Sequence, residues 1–277
     1  METDGITVRT YRELQTFINM FKQKDLQLLI IQGEAGTGKT QMIQHTLEGE
    51  KCFMQQSHST PLALFNSLYE HRNELIVLED LDTFLRSSVA ISMMKALCET
   101  TKVKKLSYLS TSQLLKAPIN FETASSILIS CNQLQAKSKN MQALLSRGLY
   151  LQFEPTRLEL LNKMIQILPN INLVELKEEQ RKEVLGFIEK NEPYASSLNL
   201  RHLVRGLSLY SYSLKDKSFD WKSNLEKLMG IDVKLKEVLS LIKSGKPVKE
   251  QVKAFSGSRA SFYRARKKVS NLRHLEK

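Results

Sequence analysis

The sequence predicts an α/β protein, in which a parallel sheet carries helices on both faces and an all-helical part follows. Three observations lead to this prediction. Short apolar runs alternate with helical stretches, the runs are continuously apolar rather than alternating, and no comparable run follows residue 155. Strands that are covered on both faces have this continuous pattern, and alternation of strands with helices is typical of a parallel sheet.

The first elements follow from local patterns. Thr10 and Glu13 have the spacing of a capping box, which predicts that a helix begins there. Apolar residues then follow at the spacing of one helical face, at Leu14, Phe17, Ile18 and Phe21. The predicted strands are Gln27–Gln32, Cys52–Gln55, Leu75–Leu78, Ser126–Ser130 and Leu149–Phe153.

The strand signals stop after Glu154 and Pro155, so we place an α/β domain at residues 1–155. Amphipathic stretches near 157–168, 177–189 and 199–212 predict a small helical domain over residues 156–213. Residues 214–230 are mostly polar and are interpreted as a linker or a packed connection, although they contain the only tryptophan, Trp221. A last helical module is expected over residues 231–277.

Composition argues against several classes of protein. The chain has 277 residues, of which 42% are apolar and 25% charged, as in ordinary globular proteins. No apolar run approaches the roughly 18–20 residues that a bilayer span requires, and the first residues lack the apolar region of a secretory signal. We therefore expect a cytoplasmic protein without a membrane partner. Cys52, Cys98 and Cys131 form no CxxC pair, which argues against a zinc ribbon or a disulfide scaffold.

The positive charge is concentrated at the C-terminal end. The formal net charge is +12, and residues 230–277 contain 13 Lys and Arg against 4 Asp and Glu. Such an asymmetry favours an acidic partner, with nucleic acid as the first candidate and an anionic membrane surface as the second. The alternative is a basic end that only improves solubility.

A phosphate-binding motif follows the first long predicted strand. It matches G-x-x-x-x-G-K-[ST] at every specified position, and its residues are Gly33, Glu34, Ala35, Gly36, Thr37, Gly38, Lys39 and Thr40. In such a loop, backbone N–H groups surround phosphate oxygens, Lys39 neutralises the β and γ phosphates, and Thr40 is a ligand of Mg²⁺. The alternative is a glycine-rich turn with an accidental lysine, but the preceding strand and following helix favour a nucleotide site.

Acidic residues follow another buried strand. The run Leu75–Leu78 is followed by Glu79, Asp80 and, one residue later, Asp82. These carboxylates are expected at the carboxyl edge of the sheet, where α/β folds bind ligands. The alternatives are that Asp82 caps the next helix and that Glu79 is a solvated strand end. With the phosphate-binding loop, the acids favour a site for ATP and Mg²⁺.

On these residues the chain resembles the AAA+ ATPases, whose fold is a P-loop NTPase (AAA+) core with a small α-helical lid. Lys39 and Thr40 match the Walker A residues, while Glu79 and Asp80 occupy the Walker B pair. The resemblance implies ATP hydrolysis, with Glu79 near the metal and Asp80 polarising water. The family usually has Asp before Glu, and the reversed order here implies slow or partner-stimulated hydrolysis.

Three further residues are assigned by the resemblance, which covers about residues 5–212. Asn132 follows a predicted strand at the position of sensor 1, which orients the attacking water. Arg147 ends a segment that resembles the arginine-finger segment, which acts in a neighbouring subunit's site, and Arg201 resembles sensor 2 of the lid. The alternatives are that Asn132 is an ordinary turn residue and that Arg147 and Arg201 are solvated surface arginines. Residues 60–82 resemble small AAA+ ATPases of phages and mobile elements.

The basic C-terminal module, residues 231–277, has a helical pattern at 233–243, and residues 252–264 resemble the helix-turn-helix of resolvase and invertase recombinases. Gly257 lies one place later than the turn glycine of that pattern. The resemblance implies that Ser258 caps a recognition helix and that Phe262 packs inward. The residues expected to contact DNA are Ser258, Arg259, Ser261, Arg264, Arg266, Lys267 and Lys268. The alternative is a basic helical appendage used for protein contacts.

Together these patterns predict an oligomeric ATPase that assembles on double-stranded DNA in replication, recombination or mobile-element maintenance. An AAA+ core followed by a helix-turn-helix is the domain order of bacterial replication initiators and enhancer-binding activators, but the GAFTGA loop of the activators is absent. The alternatives are a remodeller or loader that contacts a protein through its tail, and an ATP-dependent switch that hydrolyses slowly. The basic stretch at residues 102–108 is either a DNA-contacting loop or a solvated hairpin.

Overall fold

The computed structural model describes residues 5–56, 59–79, 87–99, 101–134, 139–172 and 174–275, with the backbone alone at residues 140 and 270–275. The chain divides into two compact units, Met1–Glu159 and Leu160–Lys277. None of the helices in the described part of the chain has the length and apolarity that a bilayer span requires.

The first unit is built on a six-stranded sheet in which all the paired strands run parallel. In spatial order its strands are β1 (Ile6–Val8), β8 (Leu149–Phe153), β2 (Leu28–Gly33), β7 (Ser126–Cys131), β4 (Leu75–Glu79) and β3 (Cys52–Gln56). The predicted parallel sheet is therefore confirmed. The sequence patterns missed β1 because it has three residues, of which one is buried.

Both faces of this sheet carry apolar clusters, and neighbouring residues of one strand belong to different clusters. Ile30 packs in one cluster and Ile31 in the other, and both are 1% exposed or less. This explains the continuously apolar strands. Among the residues that the structure describes, the helices that lie wholly within this unit are α1 (Tyr11–Lys22), α2 (Lys39–Thr46), α3 (Pro61–Glu70), α4 (Ser88–Leu97) and α5 (Lys139–Leu145).

A separate antiparallel hairpin lies between α4 and β7 in the chain. It consists of β5 (Lys104–Ser107) and β6 (Asn120–Thr123). Lys104 is buried, and its ammonium group donates hydrogen bonds to the Ser125 carbonyl at 2.7 Å and to Gln27 Oε1. The basic stretch is thus a hairpin that turns one of its lysines inward, and Lys104 is not an exposed contact for DNA.

The second unit begins within α6 (Arg157–Ile167). It continues with α7 (Glu178–Asn191), α8 (Leu200–Lys215) and α9 (Trp221–Met229). Residues 214–230 form a packed connection rather than a free linker, because α9 packs into the helical core through Trp221, Leu225 and Met229. Asp220 accepts hydrogen bonds from the first N–H groups of α9, and Gly230 ends the helix at φ 61°.

The C-terminal module contains α10 (Val233–Lys243), α11 (Val248–Ala254) and α12 (Arg259–Leu275). It has its own small apolar cluster, with Leu235, Val238, Phe255, Phe262, Ala265 and Val269. Tyr194 from the preceding helical domain packs against this cluster, and its carbonyl accepts a hydrogen bond of 2.9 Å from the Asp232 N–H. Direct contacts therefore join the module to the helical domain.

Candidate nucleotide-binding site and helical module

The turn after β2 depends on glycines. Gly36 and Gly38 have φ angles of 82° and 87°, in the left-handed region that glycine adopts without strain. Gly38 is also the N-cap of α2. A Cβ atom at Gly33 would lie 2.6 Å from the Phe153 carbonyl oxygen, so the close approach of β8 also requires glycine. These constraints give the motif its glycine spacing.

Lys39 lies inside this turn. Its side chain is 7% exposed, and Nζ donates hydrogen bonds to the carbonyls of Gly33 at 2.6 Å and Glu34 at 2.9 Å. The same Nζ lies 3.4 Å from Asn132 Oδ1. Thr40 follows in the first turn of α2 and is half-buried. The turn therefore holds a cation at the carboxyl edge of the parallel sheet, where the motif binds phosphate.

Glu79 ends β4 at the same edge and is 3% exposed. Its Oε2 accepts a hydrogen bond of 2.8 Å from Gln56 Nε2, while its buried Oε1 has no hydrogen-bond partner among the described residues. The alternative of a solvated strand end is wrong, because Glu79 is buried. A carboxylate oxygen of this kind suits a hard cation such as Mg²⁺. Asp80 and Asp82 lie outside the described residues.

Asn132 lies at the same edge of the sheet, between the positions of Lys39 and Glu79. It follows β7, and β7 lies between β2 and β4 in the sheet. Its position therefore lies between the strand that leads to Lys39 and the strand that ends at Glu79. Parallel topology brings the three residues to one edge although they are far apart in sequence.

The two predicted arginines are both exposed. Arg147 is exposed just before β8, at the amino edge of the parallel sheet and thus opposite the edge of Lys39. Its Nη1 donates a hydrogen bond of 2.7 Å to the Ala143 carbonyl at the end of α5. Arg201 is exposed in the first turn of α8, in the second unit. Arg147 is therefore placed away from the nucleotide edge of its own sheet.

The turn between α11 and α12 is tight. Ser258 accepts a hydrogen bond of 3.3 Å from the Ser261 N–H and so caps α12. A Cβ atom at Gly257 would lie 2.7 Å from the Phe255 ring, so the turn has no room for a side chain at this position. Phe262 is 0% exposed, and its ring packs edge-on against Phe255.

The charged and polar residues at 258–268, at the start of α12, differ in their contacts. Arg259, Arg264 and Lys267 are exposed, as is Ser258 before them. Two others turn toward the module itself, since the Ser261 hydroxyl is buried and Arg266 donates a hydrogen bond of 3.2 Å to Gln251 Oε1. Lys268 is exposed as well, and it forms an ion pair of 3.1 Å with Asp232. The prediction that Ser261 faces the groove or phosphates of DNA is wrong, because its hydroxyl is buried.

Neither a known family model nor a curated protein sequence matches the chain. Among solved structures, it is similar to domain III of the replication initiation protein DnaA from Thermotoga maritima. The TM-score is 0.51 at 16% identity, and the match covers 79% of this chain and 91% of that one. This likeness agrees with the parallel sheet and the glycine-rich turn at its edge. The fold is that of the P-loop NTPases.

Two mutant structures of RuvB from Thermotoga maritima also match, with TM-scores of 0.48 and 0.49 at 11% and 13% identity. These matches cover 88% and 91% of this chain and 79% and 85% of the RuvB chains. The predicted α/β P-loop NTPase fold with a C-terminal helical region is confirmed by the sheet and the likeness to DnaA domain III.

The P-loop NTPase fold contains two supporting residues that the sequence patterns missed. Gln56 holds Glu79 from the neighbouring strand β3. Tyr11 of α1 donates a hydrogen bond of 2.7 Å to the Thr37 carbonyl, and burial raises the pKa of Tyr11, with a further contribution from Glu159. Tyr11 is thus a neutral donor that braces the P-loop. Neither residue belongs to a motif, so pairing between elements is the only signal for them.

Proposed function

We propose that this protein is an ATP-binding and ATP-hydrolysing AAA+ protein that assembles on DNA in replication, recombination or mobile-element maintenance. The observation that carries the proposal is the buried ammonium group of Lys39 inside the P-loop, beside Asn132. The likeness to domain III of a replication initiation protein supports a function on DNA.

The residues present fit ATP and Mg²⁺. The P-loop turn, residues 33–40, would hold the phosphates through its N–H groups and Lys39. Thr40 and the buried Glu79 would hold Mg²⁺, since Glu79 Oε1 has no hydrogen-bond partner among the described residues. Bound Mg²⁺ would neutralise charge on the β and γ phosphates.

Two residues of the chain would then position the water that attacks the γ-phosphate. Asn132 would orient the attacking water from the end of β7, and Asp80 would polarise it. An aspartate is one methylene shorter than glutamate, which withdraws its carboxylate by about 1.5 Å, and misplacements of about 1 Å can cost on the order of 10²-fold in rate. The order Glu79 then Asp80 therefore favours a second candidate function, an ATP-dependent switch that hydrolyses slowly.

The position of Arg147 supports a homo-oligomer. Because it is exposed at the amino edge of the sheet, it cannot complete the site at the carboxyl edge of its own unit. An arginine finger in this position would act in the site of a neighbouring subunit, and Arg201 of the helical lid would sense the γ-phosphate.

The C-terminal module is the proposed contact with double-stranded DNA. Its net charge is strongly positive, and Arg259, Arg264 and Lys267 of α12 are exposed. Lysine and arginine contacts to phosphates release counterions, which supplies affinity that falls steeply with salt. A loader that contacts a protein through this tail is the alternative.

The test is the ATPase rate of the full chain with no DNA, with duplex DNA and with single-stranded DNA. We expect Mg²⁺-dependent turnover that duplex DNA stimulates, and we expect Lys39→Ala to abolish it. The double variant Arg264→Glu/Lys267→Glu should keep the basal rate and lose the stimulation. A rate that equals that of Lys39→Ala overturns the ATPase proposal. A measurable rate that DNA does not change overturns the DNA proposal.

A further inference from the structure

Gln32 is a polar residue near the end of an otherwise apolar strand. It follows residues 28–31 of β2, each of which is 1% exposed or less, and it is itself half-buried. A polar side chain in such a place is expected to be hydrogen-bonded. The partners of Gln32 therefore indicate why a polar residue stands at this point of the strand.

The side-chain carbonyl oxygen of Gln32 accepts two hydrogen bonds. Oε1 lies 2.9 Å from the hydroxyl of Tyr150 and 3.0 Å from the backbone nitrogen of Leu134. Tyr150 belongs to the neighbouring strand β8 and is buried, so its hydroxyl sets the orientation of the Gln32 amide. With that orientation fixed, Oε1 is held toward the Leu134 N–H, in the loop that follows β7.

The contact with Leu134 holds a segment that the pairing of strands does not reach. The pairing of β2 with β7 ends with Gln32 opposite Cys131, and β7 itself ends there. Asn132 is the next residue, and its side chain is exposed, with Oδ1 3.4 Å from Lys39 Nζ. Two residues further, Leu134 is joined to β2 by Gln32, and its side chain packs against an apolar cluster of the sheet. The backbone of Asn132 is therefore fixed on both sides, by strand pairing before it and by Gln32 after it.

We propose that Gln32 is a positioning residue for ATP hydrolysis, which acts by holding the amide of Asn132 beside the P-loop. When the acceptor at Gln32 is removed, the loop after β7 can shift, whereas Lys39 keeps its own contacts with the P-loop carbonyls. A misplacement of about 1 Å can cost on the order of 10²-fold in rate. Gln32 should therefore matter for turnover and not for the binding of ATP. This inference rests on the proposed role of Asn132 in orienting the attacking water.

A glutamine at the other end of β2 provides a matched comparison. Gln27 immediately precedes the strand, at the amino edge of the sheet and thus opposite the edge of Asn132. Its Oε1 also accepts a hydrogen bond, from the ammonium group of the buried Lys104. Loss of either glutamine removes a side-chain acceptor and so affects stability. Only the loss of Gln32 should slow hydrolysis.

The experiment compares Gln32→Met with the wild-type full chain, because methionine has a similar length and lacks a strong acceptor. With saturating ATP and Mg²⁺, we expect kcat to fall by about 10- to 100-fold. The affinity for ATP, measured by calorimetry, should not change, and Gln27→Met should keep the wild-type kcat. Asn132→Ala completes a double-mutant cycle. Since Gln32 acts through Asn132, the double variant should turn over no more slowly than Asn132→Ala alone. Circular dichroism checks that each variant is folded.

The outcomes separate the role of Gln32 from the function on which it rests. A wild-type rate no higher than that of Lys39→Ala overturns the proposed ATPase, and a wild-type rate in Asn132→Ala overturns the proposed role of Asn132; the role of Gln32 fails with either. If Asn132→Ala is slow but Gln32→Met keeps the wild-type kcat, the role of Gln32 alone is overturned. The same holds if Gln32→Met slows the Asn132→Ala protein further, weakens ATP binding or has no greater effect on kcat than Gln27→Met.

Tyr150→Phe is the second variant if Gln32→Met does not fold. It keeps the aromatic ring and removes one of the two donors to Gln32 Oε1. We expect kcat to fall less than in Gln32→Met, with the affinity for ATP unchanged. A folded Tyr150→Phe protein with the wild-type kcat would then overturn the role of Gln32.

Discussion

Lys39 Nζ lies 3.4 Å from Asn132 Oδ1, and this contact joins the P-loop to the end of the adjacent strand β7. The two residues are far apart in sequence, but parallel pairing of β2 with β7 sets Gln32 opposite Cys131 and so brings them together. Any ligand that binds the ammonium group of Lys39 is therefore adjacent to the amide of Asn132.

Lys39→Ala should weaken the binding of ATP and Mg²⁺ by roughly 10- to 150-fold, because a charge-assisted hydrogen bond contributes about 1.5–3 kcal/mol. Isothermal titration calorimetry measures the affinity. Lys51→Ala removes an exposed lysine of the same unit and is the control. An unchanged affinity in Lys39→Ala, with circular dichroism like that of the wild type, would contradict the assignment of the P-loop.

Gln56→Ala tests the support of the buried carboxylate. The variant removes the 2.8 Å hydrogen bond to Glu79, whose other oxygen already has no partner among the described residues. We expect the free energy of unfolding to fall by about 1–3 kcal/mol, the cost of leaving a buried polar group unpaired. Urea denaturation measures the change. Gln113→Ala, at an exposed position, should have no comparable effect.

The sequence predicts the P-loop well because its signal is local. Residues 33–40 must turn within a few positions, and the left-handed angles at Gly36 and Gly38 leave little choice of residue. The parallel strands are predictable for a similar reason, since burial on both faces imposes a continuous apolar run. In both cases one segment of the chain contains the whole constraint.

Features that depend on distant partners escaped prediction. Lys104 looks like a surface cation in sequence, yet the Ser125 carbonyl and Gln27 satisfy its ammonium group inside the first unit. Likewise, the polar surroundings of Trp221 left a linker and a packed connection equally open, and only the structure shows that its ring packs edge-on against Phe187 and Tyr210. Such contacts are formed between elements, so no local pattern reports them.

Arg147→Ala tests whether subunits share a site. We expect it to leave ATP binding intact and to reduce turnover by about 10³–10⁵-fold, as for arginine fingers in related phosphoryl transfer. Arg12→Ala, at another exposed position of the same unit, should keep the wild-type rate. Mixing Arg147→Ala with Glu79→Gln subunits should restore part of the activity, because each supplies what the other lacks.

A rate per subunit that does not rise with protein concentration, together with a monomeric mass by light scattering, would refute the shared site. Failure of the mixture alone would also count against it, provided that the two variants form mixed oligomers. A tagged subunit that co-purifies its untagged partner establishes that condition.

Lys104→Ala and Lys105→Ala form a matched pair in the hairpin. Lys104 is 1% exposed and hydrogen-bonded, whereas Lys105 is exposed. Burial lowers the pKa of Lys104. Removing its side chain should lower the free energy of unfolding by about 2–5 kcal/mol, since it deletes buried packing and leaves two acceptors without a donor. Lys105→Ala should change it by less than about 0.5 kcal/mol. Equal effects in thermal denaturation would contradict the inward position of Lys104.

His202 makes the stability of the second unit depend on pH. Burial lowers its pKa, which a hydrogen bond to the Leu228 carbonyl partly opposes and nearby Arg205 reinforces. As pH falls through the ordinary histidine pKa of about 6.5, this histidine takes up a proton in the unfolded chain before it does so in the folded chain. The free energy of unfolding should therefore decrease below that pH and be fully regained above it. Urea titrations at pH 5 to 8, followed by fluorescence of the single tryptophan, Trp221, measure this. His202→Gln should flatten the dependence of the unfolding free energy on pH. His45→Gln, at an exposed position, should preserve that dependence. A pH dependence that His202→Gln leaves unchanged would refute the role of His202.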